Sequence, residues 1–313
     1  MKRILLLGGE GYIGNVVGKF LLERGYSVVS YDKLLYSNKK CVEEKISYKN
    51  YEFIEGDIAE ISKVEAEVNT ADGVVLLAGL VGDPITKSFP EESKLVNDLA
   101  VQEVIKMCAK VHKGRFIFIS TCSNYGLIEG NQKADEKFKL SPLSLYAHSK
   151  VAAEELLMSL KSEAVFCPTI LRFATAFGLS PRMRFDLTVN EFTRELAIGK
   201  ELLVFDADTW RPYCHVKDFA RLIEVVLNSD KEDIAYEVFN AGGDENNATK
   251  RMIVDNILLK IPSGKVRYQE HGTDPRNYIV DFSKVKRVLG FTPEYSIDKG
   301  IEEVLEEIKS GNL

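Results

Sequence analysis

Residues 3–32 read RILLLGGEGYIGNVVGKFLLERGYSVVSYD, and this stretch sets the fold class. After Arg3 the run 4–7 is apolar without polar alternation, which suits a strand buried on both faces of a parallel sheet. Gly8, Gly11 and Gly14 then form a GxxGxxG turn, with Tyr12 and Ile13 opening the helix expected over 12–24. Glycines at that spacing permit a tight turn, bring backbone amides at the helix N-terminus close to a diphosphate, and let helix pack against strand. A second strand, 27–31, leads to Asp32, at the roughly 20-residue offset where a carboxylate accepts hydrogen bonds from an adenosine ribose. A carboxylate there repels a 2′-phosphate. With Glu10 in the turn and no arginine beside Asp32 in the chain, the pattern favours NAD over NADP, and only Lys33 weighs the other way.

Beyond this stretch, apolar runs at 51–55, 73–77 and 115–119 alternate with amphipathic segments, so a doubly wound parallel sheet of the α/β class is expected. Gly56, Asp57 and Ile58 follow the third strand, and Leu77, Ala78 and Gly79 end the fourth. Both sets fall at C-terminal strand edges, where ligands bind in such sheets. Asp57 is placed to reach an adenine amino group, and Ala78 with Gly79 to let a cofactor lie close. From about residue 179 the rhythm loosens. Helices are expected at 186–198, 216–227, 249–261 and 297–309, strands at 202–205 and 237–240, and polar loops at 243–247 and 271–277.

The 313 residues are 45% hydrophobic and 28% charged, with 9 Pro, a composition that excludes disordered and collagen-like chains. The longest near-apolar stretch, 74–81, is far short of the ~20 residues of a membrane span. The start MKRILLLGG has too short an apolar run for a signal peptide, so a cytoplasmic protein is expected. A net charge of −6 offers no field for a nucleic-acid backbone. The five cysteines, Cys41, Cys108, Cys122, Cys167 and Cys214, form no CxxC pair and cluster with none of the four histidines. No metal is assigned, and reduced, buried thiols are expected.

The catalytic candidate is Tyr146-Ala147-His148-Ser149-Lys150. Spacing alone does not select it, because Tyr36/Lys40, Tyr213/Lys217 and Tyr295/Lys299 share the YxxxK pattern. Position does: Tyr146 opens a helix after the fifth strand, whose end carries Ser120, Thr121, Cys122, Ser123 and Asn124. Residues i and i+4 of a helix share a face, so Lys150 can lower the phenol pKa of Tyr146. Bringing a phenol from ~10 to near 7 takes about 4 kcal/mol, which a nearby ammonium and a cationic nicotinamide can supply in a partly dry site. Thr121 would hydrogen-bond the reacting oxygen.

Together, GGEGYIG, YD, GDI, LAG, the Asn97 segment, STCSNYG, YAHSK, LRFATAFG, RPYCHVKD, FNAGG and DPRNY resemble, in order, the extended short-chain dehydrogenases of the nucleotide-sugar epimerase/dehydratase family. The resemblance implies a Rossmann domain for NAD (1–180 plus 215–241), a smaller substrate domain (181–214 plus 242–313) and a homodimer or homotetramer built through a helix bundle. It implies Tyr146 as base, with Lys150 and Thr121 beside it, and adds Asn97 to the cofactor set. Thr121, Ser123, Asn190, Phe205, Arg211 and Arg276 are the implied substrate contacts, the two arginines meeting the substrate's diphosphate.

Two departures narrow the chemistry. Cys122 and Ser123 stand where dehydratases of this family carry acidic residues, which argues against a 4,6-elimination. Thr175 replaces an Asn common in UDP- and dTDP-sugar members. The segments LSPRMRFDLTVNEF and LVGDP are similar to a subgroup acting on deoxy- and heptose sugars, including GDP-heptose 4-dehydrogenases of bacterial capsules. The resulting expectation is NAD-dependent oxidation at C4 of a GDP-, UDP- or dTDP-linked sugar, ending in net dehydrogenation. The alternatives are a 4-epimerase, an NADPH-dependent ketosugar reductase and a non-catalytic NAD-binding sensor.

Overall fold

Successive strand side chains point to opposite faces, so an unbroken apolar strand must be covered on both, and the first strand is. In β1 (Arg3–Leu7), Ile4 and Leu6 pack with Val17, Leu21 and Ile223. On the other face, Leu5 and Leu7 pack with Val64, Val104 and Leu157. All four strand side chains are fully buried, worth roughly 1.5–3 kcal/mol each as an upper bound. The computed structural model describes residues 2–128, 130, 132–162, 165–270 and 276–313, and the side chains of all of these except 83, 84 and 87.

The remaining strands of the main sheet are β2 (Ser27–Asp32), β3 (Tyr51–Glu55), β4 (Gly73–Leu76), β5 (Arg115–Thr121), β7 (Cys167–Phe173) and β11 (Glu237–Ala241). Among the described residues they form seven strands in the order β11-β7-β5-β4-β1-β2-β3, all parallel. Leu7 lies opposite Tyr31 on one side and Leu76 on the other. Strand order reverses between β1 and β4, and the crevice there is where an open α/β sheet binds its ligand. The doubly wound sheet expected from the pattern is therefore present.

β7 is absent from the sequence pattern for a physical reason. Its CPTILRF carries a proline, which is disfavoured inside sheets, and a charged Arg172, yet every residue of it is buried. Tertiary partners override both signals, as the Arg172 contacts below show. β5 runs two residues past the expected end, so that Thr121 is its last residue.

Smaller sheets cover one end. β8 (Thr175–Phe177), β10 (Trp210–His215) and β12 (Asn247–Thr249) form one, β9 (Leu202–Phe205) pairs with β13 (Val266–Gln269), and β6 (Lys133–Ala134) pairs with β14 (Ile279–Val280). A third core joins Phe177 of β8 and Tyr213 of β10 with Val189, Ile253, Ile257 and Ile301, from the helices Thr188–Ala197, Lys250–Lys260 and Ile297–Lys309. Residues 271–275 of the expected 271–277 loop lie outside the described residues. The five cysteines are free and buried, and no helix among the described residues is long and apolar enough to cross a membrane.

The last helix is latched to the end of β10. His215 is fully buried and its Nε2 lies 3.0 Å from Glu303 Oε2, while Lys217 Nζ donates to Glu303 Oε1 at 2.9 Å. Burial alone would raise the Glu303 pKa, but His215 and Lys217 outweigh it and hold the carboxyl at about 2. A depressed folded-state pKa stabilises above the ordinary value near 4.5 and is lost as pH falls through about 2. Glu303→Gln should therefore cost about 3 kcal/mol in urea unfolding above pH 5, with the gap to wild type closing toward pH 2. A gap independent of pH would rule out the ion pair as its source.

Candidate active site

The crevice between β1 and β4 opens into a cleft of about 1080 Å³. At its floor, Gly8 has φ +87°, and a Cβ there would come within 2.7 Å of the Ala78 nitrogen. A Cβ on Gly14 would lie 2.5 Å from the Gly8 oxygen, so the helix Tyr12–Glu23 can sit this close to the turn only with glycine there. Gly11 differs. Its added Cβ would meet only the Gly8 oxygen, at 3.4 Å, and it precedes a helix N-terminus with no side-chain cap. That arrangement is a cradle a diphosphate fits, because the first-turn amides are left for an anion. Gly14→Ala should lower the melting temperature sharply. Gly11→Ala should leave melting near wild type while weakening NAD binding roughly ten-fold or more, about 1.4 kcal/mol, as measured by titration. Equal NAD affinity in Gly11→Ala would exclude the turn from the binding site.

Asp32 lines the cleft. Its Oδ2 accepts from the Glu10 amide at 2.9 Å and its Oδ1 from the Leu34 amide at 2.8 Å. Burial raises its pKa, against those amides and the charge of Arg182. Glu10 requires a correction: its carboxylate does not face the ligand side of the turn. It is fully buried, pairs with Lys45 Nζ at 2.8 Å, and accepts from Ser30 Oγ at 2.7 Å and Tyr51 OH at 2.8 Å. Its charge is neutralised beneath the turn and does not help to repel a 2′-phosphate. The absence of an arginine near Asp32 also holds only along the chain, because Arg182 arrives from beyond β8.

Asp57 and Ile58, with Leu77, Ala78 and Gly79, line the same cleft. Burial would raise the Asp57 carboxyl, but the Ala59 amide and Lys33, whose Nζ lies 2.7 Å from Asp57 Oδ2, hold it below its ordinary value. Asn97 stands behind that wall, in a π-helical stretch, Lys94–Ala100. Its Oδ1 accepts from Leu80 N at 2.8 Å and its Nδ2 donates to Leu80 O at 2.9 Å, so its amide shapes the loop after β4 and does not line the cleft.

Thr121, Tyr146 and Lys150 meet the glycine turn in one cleft. Ser144 caps the helix Leu145–Ser159 by accepting from Ala147 N, which sets Tyr146 in the first turn. Lys150 is buried, donates to Ile119 O at 2.7 Å, and its Nζ lies 5.8 Å from the Tyr146 ring centre. Burial pushes its pKa down to about 8, against the opposing charge of Glu154. The ammonium is thus largely protonated at neutral pH and poorly solvated, so its field on the phenol is strong. Of the four YxxxK tyrosines, Tyr146 and Tyr36 line the cleft, and Tyr213 and Tyr295 do not.

At the far end Arg211, Arg276, Ser123, Thr175 and Tyr278 line the cleft. Arg276 Nη1 donates to Ser123 Oγ at 3.4 Å, and Tyr278 OH lies 3.4 Å from the same oxygen. The Arg211 guanidinium lies 5.1 Å from the Tyr278 ring centre. Tyr278 carries no mark in the sequence except its place two residues after Arg276, the one signal that could have found it. Cys122 is buried, its thiol donates to Arg172 O at 3.2 Å, and burial raises its pKa.

Asn190 and Phe205 are not brought to the cleft lining. Asn190 is fully buried, accepting from Gly178 N and donating to Tyr12 OH and Arg184 O, each at 3.0 Å. Its amide is spent on fastening the chain after β8 to the first turn of the glycine helix. Phe205 ends β9 and is 38% exposed.

Comparison with known proteins agrees with this fold. The model of the NAD dependent epimerase/dehydratase family matches residues 4–242. A dTDP-glucose 4,6-dehydratase of Streptomyces niveus is 28% identical, over 97% of this chain and 92% of its own length. A UDP-glucuronate 4-epimerase of Thermodesulfobacterium geofontis is 26% identical, over 97% and 95%. Among solved structures, UDP-glucuronic acid 4-epimerase from Bacillus cereus, in complex with UDP-glucuronic acid and NAD, superposes with a TM-score of 0.87 at 25% identity, covering 98% of this chain and 99% of that one.

Proposed function

The chain belongs to the NAD dependent epimerase/dehydratase family, and from that premise we propose that it oxidises the C4 hydroxyl of a nucleotide-linked sugar to a 4-keto sugar. The observation that carries this reading is the placing of Tyr146, beside a buried Lys150 and with Thr121, in the cleft that also holds the glycine turn and Asp32. Bound NAD supplies the hydride acceptor. Gly8, Gly11, Gly14, Asp32 and Asp57 would hold it, and Lys150 would reach its ribose. Tyr146, as phenolate, takes the proton of the C4 hydroxyl, and Thr121 donates a hydrogen bond to the oxygen as it becomes a carbonyl. Arg211 and Arg276 would hold the substrate diphosphate.

Cys122 and Ser123 support oxidation without elimination. A buried thiol engaged with a backbone carbonyl and a serine offer no carboxyl group to expel water. Net dehydrogenation, with a GDP-heptose among the substrates to try, is supported by the similarity of residues 80–84 and 179–192 to the subgroup that acts on deoxy- and heptose sugars. Re-reduction on the opposite face, as in a 4-epimerase, is the second reading, favoured by the epimerase likeness over nearly the whole chain. A sensor that binds NAD without chemistry has no use for the complete Thr121, Tyr146 and Lys150 set. Leu95, Leu99 and Leu145 are exposed, the first two also lining the cleft, and on the neighbouring stretches Lys94–Ala100 and Leu145–Ser159 they support a homodimer, which sedimentation tests.

The deciding experiment incubates the protein, NAD and a 2-oxo acid with GDP-, UDP- and dTDP-sugars, heptoses included, and reads product mass. Loss of two hydrogens establishes dehydrogenation, and a new isomer of unchanged mass establishes epimerisation. Loss of water would overturn the reading of Cys122 and Ser123.

A further inference from the structure

Two residues that line the adenosine end of the cleft have no part in the chemistry above. The Arg182 guanidinium stacks on the Tyr36 ring, 3.7 Å from its centre. Both line the cleft alongside Asp32 and Lys33, and the charge of Arg182 acts on Asp32. They come from separate segments, Tyr36 from the loop after β2 and Arg182 from the segment after β8.

Each side is built firmly. In the first loop, Leu34 and Ser37 take the left-handed backbone, at φ 53° and 55°, which side-chain-bearing residues seldom adopt. The Leu34 amide is held by Asp32, the Ser37 amide donates to Leu34 O at 3.0 Å, and Asn38 Nδ2 donates to Glu10 O. On the other side, Ser180 Oγ donates to Tyr12 O at 2.7 Å, and Arg184 O accepts from the buried Asn190 Nδ2 at 3.0 Å. The stack therefore joins two anchored segments, and little ordering remains to be done when it forms.

We propose that Tyr36 and Arg182 form a clasp over the adenosine half of the cofactor cleft and set the rate at which NAD leaves. A planar guanidinium on an aromatic face is a contact that lysine does not reproduce. Opening it is a step that release of the dinucleotide has to include, whereas sugar entry, at the Arg276 end, does not. The inference rests on cofactor binding and is independent of which sugar reacts.

The test is dinucleotide exchange without any sugar. Protein loaded with NADH is diluted into excess NAD, and the loss of bound-NADH fluorescence is followed. Arg182→Leu and Tyr36→Ala should release at least ten times faster than wild type. Tyr36→Phe, which keeps the ring, should release at the wild-type rate. Melting temperatures without dinucleotide should match across the set, which separates a clasp from a folding defect. Equal release by Arg182→Leu and wild type, or Tyr36→Phe as fast as Tyr36→Ala, overturns the clasp and leaves the proposed chemistry standing. A wild-type protein that binds no dinucleotide overturns both.

Discussion

Tyr146→Phe should abolish sugar oxidation while leaving NAD binding close to wild type. The change removes one oxygen, the atom proposed to take the proton of the C4 hydroxyl, and leaves the ring in place beside Lys150. A positioned general base is worth roughly 10²–10⁴-fold in rate, or about 3–5 kcal/mol of activation free energy. Single-turnover mass spectrometry of the sugar product gives the rate, and titration with NAD gives the affinity. Turnover in the variant within ten-fold of wild type would remove Tyr146 from the role of base. A loss of NAD binding equal to the loss in rate would instead assign the hydroxyl to cofactor binding.

Arg172→Leu is expected to have the largest effect on stability, because it leaves a carboxylate buried without its partner. Arg172 Nη2 lies 2.6 Å from Glu154 Oε2, and its Nε donates to both carboxylate oxygens at 3.1 Å. Both residues are about 95% buried, with 5% and 4% exposure. Ser120 Oγ and Asn124 Nδ2 also donate to Glu154, and Arg172 Nη1 donates to Tyr125 OH at 3.0 Å. The network ties the helix bearing Tyr146 and Lys150 to the ends of β5 and β7.

Removing one partner of such a pair typically costs 3–5 kcal/mol, whereas replacing both by packed apolar groups costs far less. Urea unfolding should therefore show Arg172→Leu and Glu154→Leu each destabilised by about that amount, and the double variant far less than their sum. Single variants within 1 kcal/mol of wild type would mean that solvent reaches the pair. Additive losses would mean that each residue acts through its other contacts.

Much of the site is legible in the chain because its parts are local. The glycine turn, Asp32 at the end of the second strand and the loops after β3 and β4 are each set by a few adjacent residues. The YxxxK spacing is local too, yet four tyrosines carry it, and only the position of Tyr146 after the fifth strand distinguishes it. Asn190 shows the opposite failure. An amide near the expected substrate region carries no mark that says whether it faces ligand or fastens one segment to another, and here it fastens the chain after β8 to Tyr12.

The parallel α/β sheet, the glycine turn and the Tyr146/Lys150 pair proposed for catalysis are legible in the chain alone, because strand burial, tight turns and the i, i+4 helix face depend on residues close in the chain. What Glu10 does, why a strand with a proline and an arginine can lie inside the sheet, and which side chains complete the two ends of the cleft emerge only when the chain folds. Glu10 with Lys45, Arg172 with Glu154, Ser123 with Tyr278 and Tyr36 with Arg182 are joined across 18 to 155 positions of sequence. Contacts between such distant residues leave no periodicity to read, since they form only where the fold makes separate strand ends converge.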